Sequence, residues 1–203
     1  MKKWAYPLAL ATFFIFIGIA LNINNPSFLS FDDKMASLLR GNSFFLVFHH
    51  LGEPKFIVAV AIVMSIYLWV RKRNYRGMLL IILTFAVGNS LNQSLKLYFA
   101  RPRPEIIDQL TSFSFPSGHS QMSILYLLTL AYLFSEMLSN KKKIRILWIA
   151  AILLVCFIGL SRIAGDRHFA TDVIAGWSIG YTWFIICILW YESRKRAFNN
   201  MSS

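Results

Sequence analysis

Six blocks of about 15 to 20 residues, apolar almost throughout and nearly free of charge, recur along this 203-residue chain, and each approaches the length a helix needs to cross the hydrocarbon core of a bilayer. They read as spans over about residues 6–21, 54–70, 77–95, 122–138, 146–160 and 173–190. The expectation is an all-α protein: one membrane-embedded domain over residues 1–203, built as a bundle of six transmembrane helices. The chain is 57% hydrophobic and only 15% charged, which excludes an ordinary soluble domain. Lys2 and Lys3 before the first block imitate a secretory signal, but no small-x-small cleavage site follows, so that block reads as a retained span. Cys156 and Cys187 fall inside apolar blocks and read as small hydrophobes rather than as a disulfide.

Lysines and arginines near short loops stay on the cytoplasmic side of a membrane. Thirteen of the 21 lie at the N-terminus, in the second and fourth turns and in the tail: Lys2, Lys3, Arg71, Lys72, Arg73, Arg76, Lys141, Lys142, Lys143, Arg145, Arg194, Lys195 and Arg196. The expected topology is a multi-pass cell-membrane protein with both termini cytoplasmic. The formal net charge of +12 does not imply a nucleic-acid partner, because the basic residues sit between apolar blocks instead of forming one water-facing patch. The remaining cations break the bias, and Lys96, Arg101, Arg103, Arg162 and Arg167 gather in two segments on the opposite side.

After the first span, Phe28, Phe31, Met35, Leu38 and Leu39 recur at helical spacing. Ser30 with Asp33 three residues on reads as a capping box opening a short interfacial helix. Gly41 and Asn42 break that helix, and a further apolar turn or two ends at Gly52. There is no internal repeat, and the loops are too short for a second domain.

Three segments on the non-cytoplasmic side carry chemistry. In the first, Lys96 precedes Arg101, Pro102, Arg103 and Pro104; a snorkelling lysine and a stiff proline exit would account for it equally. The second is Ser114, Phe115, Pro116, Ser117, Gly118, His119 and Ser120. It is either a turn with a polar histidine, or a helix start whose backbone N–H groups face an anion while His119 donates a proton to it. In the third, His168 and Asp172 are four apart. On one face of a helix opening there, the carboxylate would hold one imidazole nitrogen protonated and free the other to attack. A plain surface pair is the alternative, disfavoured because ionisable groups converging at membrane depth are costly.

Together these segments resemble the type two phosphatidic acid phosphatase superfamily. Its three motifs are matched by Lys96 with Arg103-Pro104, by Pro116, Ser117, Gly118 and His119, and by Ser161, Arg162, His168 and Asp172. The resemblance implies a six-helix core over residues 54–190 and a lipid phosphatase acting at the outer face through a phosphohistidine. Within it, His168 is the nucleophile, Asp172 its orienting carboxylate and His119 the acid and then the base. Lys96, Arg103, Ser117, Gly118 and Arg162 bind the phosphate. That cationic set would replace a metal, so no metal and no cofactor are expected, and activity should survive excess chelator.

Arg101 and Arg167 read as contacts to a diphosphate or headgroup, or as solvated cations, with Asp166 pairing one of them. Asn89, Ser90, Asn92, Gln93 and Ser94 read chiefly as a bundle-facing polar run. His49 and His50 read against a metal site, since neighbours on a helix diverge. The expected partners are the bilayer and a lipid phosphate that keeps its tails in the membrane, with no obligatory protein partner. Phosphatidylglycerophosphate is favoured, with undecaprenyl diphosphate and phosphatidic acid as alternatives. Two rivals fit less well: a vanadate haloperoxidase, which is soluble, and a haem carrier or transporter, which needs facing histidines within spans.

Overall fold

Asparagine side chains open four of the helices, each accepting the orphan N–H groups of a first turn. Asn25 takes the Ser27 N–H at 2.9 Å, Asn42 that of Phe44 at 3.1 Å, Asn74 that of Gly77 at 2.9 Å, and Asn140 those of Lys142 and Lys143 at 2.9 and 3.2 Å. The computed structural model describes residues 4–105 and 111–201, with side chains described through residue 197. Among the described residues every regular element is helical. In order they are α1 (Ala5–Leu21), α2 (Pro26–Leu39), α3 (Ser43–Leu46) with a 3₁₀ turn (Val47–Gly52), and α4 (Pro54–Lys72). Next come α5 (Tyr75–Ile81), a π-helical segment (Ile82–Val87) and α6 (Gly88–Phe99), then α7 (Gly118–Ser135), α8 (Lys141–Ala164) and α9 (Ala170–Met201). The helix after the first block begins at Pro26 and is capped by Asn25. This corrects the expected Ser30 start: asparagine followed by proline is the stronger opening signal.

Three helices are each long and apolar enough to cross a bilayer: Tyr75–Phe99, Lys141–Ala164 and Ala170–Ala197. Two bent pairs, α1 with α2 at 104° and Ser43–Gly52 with Pro54–Val70 at 51°, raise the number to five. That is short of the six expected. Helix α1 has 17 residues, and α7, at 18, opens on Gly118, His119, Ser120 and Gln121. Its polar start is buried among neighbouring helices instead of facing lipid.

Helix α7 is the centre of the bundle, packed against α8 and α9, with α1 on the far side of α9. Glycines let these helices approach closely. A Cβ on Gly176 would lie 2.6 Å from the Ser117 carbonyl oxygen, one on Gly180 3.0 Å from that of Gln121, and one on Gly159 2.1 Å from the Trp177 ring. Leu125, Tyr126, Leu133, Ile158, Phe184 and Ile188 fill the core, while Leu8, Phe14, Val63 and Ile149 point outward from the bundle. The π-helical segment widens the helix where it passes α7 and α9. Trp183 Nε1 donates to the Leu83 carbonyl at 3.0 Å and Gln121 Nε2 to that of Gly88 at 2.8 Å, so side chains from two neighbours satisfy backbone in or beside the irregular turn. The end of α6, the starts of α7 and α9, the end of α8 and the 3₁₀ turn all meet at one end of the bundle.

Candidate active site

Helix α6 stops at Ala100, whose N–H bonds the Lys96 carbonyl at 2.9 Å and whose φ of 46° is left-handed. An alanine there costs about 1 kcal/mol over glycine. The turn sends the following residues in opposite directions: Arg101 is buried and Arg103 is half-buried. Arg103 is clamped by the returning loop, donating from Nε to the Ser112 carbonyl at 2.7 Å, from Nη2 to Ser112 Oγ at 2.9 Å and from Nη1 to the Arg167 carbonyl at 2.6 Å. Lys96 Nζ donates to the carbonyls of Phe113 and Ser114.

The loop delivers the chain to α7. Ser117 is wholly buried, and its Oγ accepts from the Ser120 N–H at 3.5 Å and the Ser120 hydroxyl at 3.0 Å. It therefore caps the helix by accepting, a role that leaves its own hydroxyl proton unused. Gly118 lies against Asn92, whose Oδ1 would be 3.1 Å from an added Cβ, and Asn92 Nδ2 donates to Gln121 Oε1 at 2.8 Å. His119, one residue on, rests on Gly52 of the 3₁₀ turn, where an added Cβ would fall 2.5 Å from its ring.

His168 precedes α9 by two residues, so the pairing with Asp172 is not the helical stacking expected. Phe169 is the residue before the helix, and its N–H bonds Asp172 Oδ2 at 3.0 Å, the reach-back half of a capping box. That fixes the carboxylate beside the imidazole, with His168 Nδ1 3.5 Å from Asp172 Oδ2 and 3.4 Å from Ser114 Oγ. Ser114 in turn donates to Asp172 Oδ2. The opposite nitrogen, Nε2, lies 3.1 Å from Arg103 Nη1. This leaves Nδ1 to carry the proton and Nε2 to present a lone pair. Burial pushes the imidazole down to about 3 despite the nearby carboxylate, so His168 is neutral at physiological pH.

A cavity of about 470 Å³ collects these groups. Its lining combines His119, His168, Lys96, Arg103, Arg162 and Gly118 with the apolar Ile57, Val58, Ile62, Phe85 and Met122. No carboxylate is among its described lining residues. His119 Nε2 and Arg162 Nε are both buried without a hydrogen-bond partner among the described residues. A donor-rich pocket with unpaired buried nitrogens is suited to an anion, since leaving such groups unmet costs about 1–3 kcal/mol each. Six of the eight expected site residues thus share one cavity, while Asp172 and Ser117 stand behind its wall.

Other expectations are corrected. Arg101 does not line this cavity: its guanidinium donates to Asp172 Oδ1 at 2.6 Å, Thr171 Oγ1 at 2.8 Å and Asp32 Oδ2 at 3.0 Å, over the Phe169 ring. Asp166 pairs with Arg40 at 2.8 Å. Of the polar run, Asn89, Asn92 and Gln93 line the cavity, and Asn92 is also buried in the bundle. The rings of His49 and His50 do meet, with centroids 3.8 Å apart. With Glu53 they form the one cluster among the described residues whose potential metal-ligating atoms converge, all within 4.8 Å of one another. Sequence reasoning missed Ser114, Asp32 and Thr171. Ser114, two residues before the second motif, carries a signal only by that nearness; the other two carry no local signal.

The family model described as the PAP2 superfamily matches residues 77–196. Phosphatidylglycerophosphatase B of Bacillus subtilis (strain 168) is 30% identical over 201 residues, covering 94% of this chain and 97% of the relative. The crystal structure of a transmembrane PAP2-type phosphatidylglycerolphosphate phosphatase from Bacillus subtilis superposes with a TM-score of 0.82 at 27% identity, covering 91% of this chain and 96% of that one. The crystal structure of Aquifex aeolicus LpxE matches with a TM-score of 0.57 at 27% identity over 76% of this chain and 93% of its own.

Proposed function

From the fact that this chain belongs to the PAP2 superfamily, we infer that it is a membrane lipid phosphatase working through a phosphohistidine. The observation that carries the reading is the pair of unpartnered buried nitrogens, His119 Nε2 and Arg162 Nε, in the same cavity as His168. His168 Nε2 attacks phosphorus in line, forming the N–P bond as the P–O bond to the lipid breaks. Asp172 and Ser114 steady the ring at Nδ1, and His119 passes a proton to the departing oxygen. In the return step His119 takes a proton from water, whose oxygen bonds phosphorus as the N–P bond breaks. Lys96, Arg103, Arg162 and the Gly118 N–H at the start of α7 offset charge on the transferring oxygens. A metal phosphatase needs converging carboxylates; the lining of this cavity supports a metal-independent reaction.

The apolar lining of the cavity supports a lipid substrate whose chains stay in the bilayer, since extracting them costs about 0.8 kcal/mol per CH₂. The favoured substrate is phosphatidylglycerophosphate, supported by the likeness to phosphatidylglycerophosphatase B of Bacillus subtilis over nearly its whole length; undecaprenyl diphosphate is the alternative. Six spans with both termini cytoplasmic, α2 at the interface and the site extracytoplasmic follow from the charge bias. The test is phosphate release by purified protein from phosphatidylglycerophosphate, phosphatidic acid and undecaprenyl diphosphate, beside His168→Ala and with radiolabelled substrate to trap the intermediate. Retained turnover in His168→Ala would sink the mechanism, and preferential release from the diphosphate would reverse the choice of substrate.

A further inference from the structure

Helix α9 begins with an N-terminus capped from outside its own chain segment. The Thr171 N–H, in its first turn, donates 2.7 Å to Asp32 Oδ1, and the Thr171 hydroxyl donates 2.8 Å to Asp32 Oδ2. Asp32 belongs to α2, far away in sequence, and is 2% exposed. The same carboxylate meets Arg101, which reaches past it to Asp172 Oδ1 at 2.6 Å. One buried guanidinium is thus forked between two buried carboxylates, of which Asp172 holds the His168 imidazole. A buried charge left alone is expensive, and an arginine matched to two acids has little freedom to move.

We propose that Asp32 and Arg101 are positioning residues of the phosphoryl-transfer step. Arg101 occupies Oδ1 of Asp172, so that only Oδ2 is left for Ser114 and the His168 Nδ1–H. Asp32 shares the Arg101 charge and prevents it from drawing the Asp172 carboxylate off the imidazole. The helix that follows the first span is thereby a component of the active site, although it lines no part of the cavity. This rests on the phosphatase reading above.

Asp32→Asn keeps the size and one acceptor for the Thr171 N–H while removing the charge opposite Arg101. Arg101→Lys keeps the charge but cannot fork to both acids. Arg101→Ala leaves a site that free guanidinium can enter. In wild-type protein and the three variants, the measurements are kcat and KM on a lipid phosphate, the single-turnover rate of phosphohistidine formation, competitive inhibition by inorganic phosphate, and the melting temperature. The expected result is kcat and the single-turnover rate lower by about 10–100-fold in each variant. KM and inhibition by phosphate, a ground-state ligand, stay within about twofold, and added guanidinium, but not an equal concentration of sodium, partly restores Arg101→Ala. Unchanged kcat in Asp32→Asn overturns the proposal. So does a loss of kcat accompanied by equal weakening of phosphate binding, a lower melting temperature and no guanidinium rescue, because that is the pattern of a scaffold alone. A wild-type protein without phosphatase activity refutes the parent reading instead.

Discussion

Replacing Gly52 with alanine tests whether His119 acts where it lies. The new Cβ would stand 2.5 Å from His119 Cδ2, 3.1 Å from its Cγ and 3.0 Å from Ile158 Cγ2, where ordinary contact starts at 3.4 Å. The ring must retreat by roughly 1 Å, and Ile158, wholly buried, blocks the other escape for the methyl group. A displacement of that size costs about 100-fold in a positioned proton transfer, or about 2.7 kcal/mol. The assay compares kcat on a lipid phosphate with kcat on a nitrophenyl phosphate, whose acidic leaving group needs little protonation. The loss should be about 100-fold on the lipid and markedly smaller on the nitrophenyl ester, with the helical signal intact by circular dichroism. Equal losses on both substrates, or none on the lipid, would refute the assignment of His119 as the acid.

With His168 pushed down to about 3 by burial, the nucleophile is neutral from about pH 4 upward. Its protonation slows the enzyme only below that, and phosphohistidine formation that fell as pH dropped through the ordinary histidine value would contradict a buried, neutral nucleophile. Gly176→Ala places a methyl 2.6 Å from the Ser117 carbonyl oxygen, which is backbone and cannot swing aside. It should lower stability by about 1–3 kcal/mol in thermal unfolding and reduce activity as well, since the start of α7 must move. Phosphate release should be undiminished in excess chelator; a loss restored by a divalent cation would count against the cationic cavity as the whole of the phosphate site.

Residues whose roles depend on neighbours a few positions away could be read from the chain. Lys96, Arg103, His119, Arg162 and His168 announce themselves as charges beside apolar blocks, and the structure gathers them around one cavity. Helical periodicity located α2, but asparagine capping moved its start back to Pro26. What stayed hidden depends on packing at long range. Asp32 meets Thr171 across 139 positions and Arg101 meets Asp172 across 71, distances over which no spacing rule operates. A serine before a glycine serves a helix cap and an anion equally well on paper, and the cap that Ser117 makes shows only in its buried contact with Ser120. His49 and His50 leave the backbone in different directions in any helical turn, and their rings meet only because the side chains fold back, which no spacing rule shows.

The π-helical segment at Ile82–Val87 amounts to one surplus residue in an otherwise regular rod. Each residue of a regular helix turns the direction of its side chains by about 100°. Deleting Ala86 would let the rod anneal with Asn92 and Lys96 still facing Gln121 and the Ser114 carbonyl they now touch, whereas straightening the turn with all its residues kept would swing everything beyond it by about that angle. The irregular turn acts as a phase shifter, letting a single rod satisfy the packing before it and aim a cation after it.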